Sequence, residues 1–65
     1  MSLKSHPQWL PAHLERTYQA LVKFSQNGRV IGTYRDLMTE LALLSPAPLL
    51  KRLDALAKHG VIQVG

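Results

Sequence analysis

Cysteine is absent from this 65-residue chain, which excludes disulfide staples and a thiolate-bound zinc as supplements to a small core. The absence fits a reducing cytoplasm. Long hydrophobic runs are missing too: the longest uncharged apolar stretch, residues 41–50, is interrupted by Ser45, Pro46 and Pro48. A membrane-spanning helix needs about 20 apolar residues, so no membrane partner is expected. The opening MSLKSHP holds no apolar segment of signal-peptide length, and the expected location is cytoplasmic. Acidic residues are also few, with Glu15, Asp36, Glu40 and Asp54 against eight Lys and Arg and a formal charge of +4. Such a balance favours anionic partners, nucleic acid or an acidic protein surface.

Motifs that carry chemistry are equally scarce. There is no nucleophile elbow, phosphate-cradling glycine loop or acid pair. His6, His13 and His59 are scattered and stand in no H-E-x-x-H arrangement. The chain is therefore expected to be no enzyme, to bind no metal or other cofactor, and to have no small-molecule substrate.

What is present is the composition of a folded domain, 46% hydrophobic residues against 18% charged. A chain this short buries only about 60% of the surface its unfolded form exposes, so a partner subunit or a larger parent protein is expected. Residues 1–9, with Pro7, read as a flexible lead-in in which Trp9 is a hydrophobic anchor for the first helix, with stacking on a base as the functional alternative. Residues 10–65 read as the domain.

The third predicted helix, residues 45–59, is the best marked. Ser45 suits an N-cap, Pro46 the first helical position, and Gly60 the left-handed closure beyond Lys58 and His59. At 100° per residue, Leu49, Leu50, Leu53, Leu56 and Ala57 form an apolar stripe. Ala47, Pro48, Lys51, Arg52, Asp54, Ala55 and Lys58 form the presented side. A second helix starts at Thr33, with Asp36 completing a capping box and Leu37, Leu41 and Leu44 at helical spacing. The first helix runs from Leu10 to Ser25 on Leu14, Tyr18, Leu21 and Val22, and Asn27 and Gly28 end it. Val30 and Ile31 are then placed to pair with the strand-like run of residues 61–64. The expected fold is mainly α: a three-helix helix-turn-helix core with a short two-strand β element, winged-helix-like, with the wing truncated or absent.

From residue 33 to residue 64 the chain resembles the N-terminal DNA-binding domain of LexA-type repressors. The residues that carry the likeness are Thr33, Leu37, Leu41, Ser45-Pro46, Leu53, Ala55-Leu56-Ala57 and Gly60-Val61-Ile62. The closing leucine-rich helix also looks like those of MarR-like proteins and small fimbrial-operon regulators. The resemblance implies a winged helix-turn-helix that reads DNA through polar side chains early in its third helix, where this sequence has Ala47, Pro48 and Leu50.

Double-stranded DNA is the expected partner, with the protein acting in transcription regulation or as the DNA-binding module of a larger protein. Lys51 and Arg52 suit guanine edges or phosphates, Lys58 suits phosphate, and Ala47 and Ala55 suit thymine methyl groups. Backbone N–H groups near Ser45 and Thr33 are expected to meet phosphates, flanked by Arg35 and Arg29. A homodimer is expected to form through the apolar surface of the first helix, around Tyr18, Phe24 and Trp9. The competing expectation is a protein-interaction module that binds no DNA.

Overall fold

The leucine spacing of residues 45–59 becomes α3 (Pro46–Lys58) in the computed structural model, which describes residues 1–64. Leu49, Leu53 and Leu56 are all buried there, whereas Leu50, expected on the same stripe, is 45% exposed. The physical reason is angular: Leu50 lies well to one side of the line joining the other three. Two further helices, α1 (Ala12–Lys23) and α2 (Tyr34–Glu40), pack against α3. The shared core contains Leu14, Ala20, Leu21, Leu37, Leu49, Leu53, Leu56, Val61 and Ile62. No helix among the described residues is long and apolar enough to cross a membrane.

In α1 the buried side is centred on Leu14, Thr17, Ala20 and Leu21, with Tyr18 packed against it, so of the expected apolar set only Val22 is corrected. Val22 is exposed and Tyr18 half-buried. Thr17 tolerates burial because its hydroxyl donates to the His13 carbonyl at 2.8 Å, inside its own helix.

Both later helices end in the same closed turn. Beyond α3, Gly60 takes φ +73°, and the N–H groups of Gly60 and Val61 donate to Ala57 and Leu56 at 3.1 and 3.0 Å. That pattern satisfies two carbonyls the helix would otherwise leave open and turns Val61 and Ile62 into the core. Beyond α2, the left-handed position is held by Ala42, at φ +57°, with Leu43 donating to Met38 at 2.8 Å. Because the chain turns there, the helical spacing that ran to Leu44 is broken. Leu44 is fully exposed, not core.

The sheet departs furthest from expectation. It has four antiparallel strands, β1 (Ser2–Leu3), β2 (Ser25–Gln26), β3 (Arg29–Val30) and β4 (Ile62–Gln63), in the order β2-β3-β1-β4. Asn27 and Gly28, at φ 56° and 79°, form a two-residue hairpin turn with both residues left-handed. They join β2 to β3, so α1 ends at Lys23 and not at Ser25. β3 and β4 do not pair with each other: β1 lies between them, with Ser2 opposite both Arg29 and Gln63 and Leu3 opposite Ile62. The reading of residues 1–9 as a lead-in outside the domain misses this strand, whose place depends on pairing with residues far along the chain.

The rest of that segment is held as well. Ser5 bonds Gly60 and Val61, His6 stacks on Tyr18 with ring centres 4.3 Å apart, and His6 Nε2 lies 2.7 and 2.9 Å from the two Glu15 oxygens. Hydrogen bonds from Gln19 and then His6 hold the Glu15 carboxyl below the ordinary glutamate range. A carboxylate acidified by folding stabilises the fold above its unfolded pKa of about 4.3 and loses that contribution as pH falls through the folded value. The melting temperature of the wild type should therefore fall more steeply below pH ~4.3 than that of Glu15→Gln. A thermal melt series followed by circular dichroism checks this.

The two closed turns make an opposed pair of expectations. Ala42→Gly should stabilise by about 1 kcal/mol, since glycine adopts the left-handed conformation without strain. Gly60→Ala should destabilise by about 1 kcal/mol, purely through backbone strain, because an added Cβ would meet nothing within 4 Å. For a domain of this size, each kcal/mol moves the melting temperature by about 4–8 °C.

Candidate nucleic-acid interface

Since Leu49, Leu53 and Leu56 point into the core, the helix period turns Ala47, Lys51, Asp54 and Lys58 outward, and all four are exposed. Arg52 and Ala55, expected on the same side, are half-buried on a flank. They share a shallow depression with His13, Leu14, Pro48 and Lys51, where the start of α1 meets α3. Lys51 thus borders both the outward side and this depression. Lys58 has a carboxylate neighbour, Asp54, one turn earlier at 3.4 Å. With both side chains well exposed, this pair contributes little to stability.

Every carboxylate side chain of the protein is engaged with its own chain. Glu15 meets His6 and Gln19, Asp36 closes a helix cap, Glu40 pairs with Lys23 at 2.7 Å, and Asp54 faces Lys58. Lys4, Arg16, Arg29, Arg35, Lys51 and Arg52 have no carboxylate within 4.0 Å among the described residues. The surface field is therefore set by cations without local partners.

The expected phosphate contacts at helix starts are not supported by the donors available there. At α2, the Asp36 N–H donates to the Thr33 hydroxyl at 3.2 Å, and the Thr33 N–H donates to the Asp36 carboxylate at 2.9 Å. A carboxylate already occupies the position an anion would take. Arg35, in the same turn, is exposed. At α3, Ser45 stands at the N-cap in extended conformation, but its hydroxyl makes no capping bond. The cause is Pro46 and Pro48 at the first and third helical positions: neither has an N–H, so Ala47 is the only donor left in the first three positions.

Arg29 lies elsewhere, on the sheet. Residues directly opposite across strands share a face, so the pairings of Gln26 with Arg29, Arg29 with Ser2, and Ser2 with Gln63 place these four in one polar row. Arg29 also lines a depression with Gln26, Asn27 and Ile31, separate from that of Lys51 and Arg52.

Exposed apolar surface follows the expectation at Trp9 but not at Tyr18 and Phe24. Tyr18 is covered by His6, and Phe24 packs so closely on Gly32 that a Cβ there would lie 2.7 Å from it. On the first helix itself Val22 is the exposed large apolar side chain. Tyr34, Leu50 and Val64 are also exposed and line a groove with Met1, Leu53, Asp54 and Ala57. Trp9 is no buried anchor either: it is 61% exposed and meets His59, at the end of α3, edge to face at 4.9 Å. Sequence reasoning missed the groove, because it depends on no local spacing.

Among the described residues, no three His, Asp or Glu side chains are grouped as metal ligands would be. No protein-family model matches the chain, and no curated protein or solved structure matches it either.

The two helix starts invite a direct comparison. Thr33→Ala should destabilise by about 1 kcal/mol, the usual cost of a working N-cap, whereas Ser45→Ala should change stability by less than about 0.5 kcal/mol. Parallel urea titrations of the two variants test the difference.

Proposed function

We propose that this protein binds double-stranded DNA through the outward side of α3, as a small transcription regulator or as the DNA-binding module of a larger protein. The observation that carries the reading is the charge arrangement. Glu15, Asp36 and Glu40 are taken up by their own chain and Asp54 faces Lys58 in an exposed contact, while Lys51, Arg52 and Arg35, and Arg29 on the sheet, remain available to a polyanion. The helix order supports it: α2 and α3 are joined by residues 41–45 and both pack on α1, as in helix-turn-helix proteins whose second helix enters the major groove. The proposed architecture is a winged helix-turn-helix variant in which the strand after α3 pairs with β1 and the hairpin lies between α1 and α2.

In this reading Lys51 is the central contact, Arg52 reaches from the flank, and Lys58 meets phosphate once Asp54 yields it. Affinity comes chiefly from phosphate neutralisation, since Ala47 and Pro48 offer no side-chain hydrogen bond for bases. Two copies reading half-sites about 34 Å apart would strengthen binding.

The groove of Tyr34, Leu50 and Val64, together with fully exposed Leu44, favours a second reading as a protein-docking module. Fluorescence anisotropy with a labelled duplex at about 50 mM salt separates the two. DNA binding should show a log–log salt slope of about −4 to −5, and Lys51→Ala should weaken binding and reduce the slope's magnitude by about 1. A wild type without duplex affinity at that salt concentration would leave the docking reading.

A further inference from the structure

Trp9 is the only tryptophan of the chain, and 61% of it is open to solvent, an unfavourable placement for the largest apolar side chain unless something else covers it. The segment that leads to it is tied to the end of α3. Lys4 and Ser5 bond the Val61 carbonyl, the Ser5 hydroxyl bonds the Gly60 carbonyl, and the indole meets His59 with the ring planes 83° apart. A near-perpendicular contact does not cover the indole as a parallel stack would, so at least one of its faces stays free. Two cations lie on the segments that meet here: Lys4, whose backbone N–H bonds Val61 and which has no carboxylate partner among the described residues, and Lys58, next to His59 in sequence, whose contact with Asp54 is exposed and weak. An open aromatic face beside flexible ammonium groups is the combination that takes an unpaired base and its phosphates.

Resting on the duplex reading above, we propose that this corner at the end of α3 stacks an unpaired base. The protein then prefers a junction of double- and single-stranded DNA to a blunt duplex. The indole cannot enter an intact stack of base pairs, but a strand leaving the duplex along α3 passes the end of the helix, where Trp9 stands. Trp9 stacks the base, Lys4 and Lys58 meet the flanking phosphates, and His59 is a positioning residue that orients the ring.

Because the chain has one tryptophan, its emission reports on this corner alone. The test titrates the protein at about 50 mM salt with a blunt duplex, the same duplex carrying a thymidine overhang, and oligothymidine. Anisotropy and tryptophan emission are both followed. The overhang should bind about tenfold tighter than the blunt end and quench emission. Trp9→Ala should bring the overhang duplex down to the affinity of the blunt one, and Trp9→Phe, which keeps an aromatic face, should retain part of the preference. Circular dichroism shows whether both variants are folded. Equal binding of the two duplexes with unchanged emission would overturn the proposal and leave the duplex reading standing. Quenching and binding by oligothymidine without any blunt-duplex affinity would overturn the duplex reading and support the stacking corner. No binding to any of the three would end both.

Discussion

The roll of α3 about its own axis governs most of what this protein can do. Leu49, Leu53 and Leu56 are buried together against α1 and α2, and three apolar side chains along one line of a helix leave it a single favourable rotation. That rotation turns Lys51 and Lys58 to solvent, places Arg52 beside the start of α1, and brings Leu50 to the rim of the apolar groove. A shift of one residue in the seam would turn the helix by about 100° and bring Leu50, Asp54 and Ala57 inward, a carboxylate among them. Burial inside the helix thus decides the chemistry outside it.

Closure of the chain rests on contacts remote in sequence. Gly60 ends α3 and sends Val61 and Ile62 into the core, while Ser2 and Leu3 fill the gap between β3 and β4. A domain this small has few apolar side chains to bury, so clasps such as His6 on Tyr18 and Glu15, or Ser5 on Gly60, add polar links between the first residues and the helices. These links also set Trp9 beside His59. The stabilising wrap and the exposed indole have the same cause, the path of residues 4–9 past the end of α3.

Charge follows a comparable division. Acidic side chains are spent locally, in a cap, an i,i+4 contact and two clasps between elements, so the cations facing solvent keep their field. The surface is thus suited to a polyanion without any concentrated basic run, and its strength is set by ionic screening.

Local physics made the helices legible: Thr33 with Asp36, Gly60 after a basic last turn, and leucines at 49, 53 and 56 all act within a few residues of themselves. The Asn27-Gly28 turn was equally local, yet the flanking Ser25-Gln26 and Arg29-Val30 lack the alternation that announces a hairpin. The silent cap at Ser45 was not anticipated, although Pro46 and Pro48 remove two of the first three donors and leave Ala47 alone. By itself, then, the sequence determined three helices, the Thr33 cap, the Gly60 closure, the sign of the net charge and the seam of α3. Only the tertiary structure decided that β1 sits between β3 and β4, that Arg52 is half-covered while Trp9 is open, and that an apolar groove lies around Leu50. A two-residue strand has no periodicity to read, and the side of a helix that meets its neighbours is settled by where those neighbours pack, a global minimum that no single segment encodes.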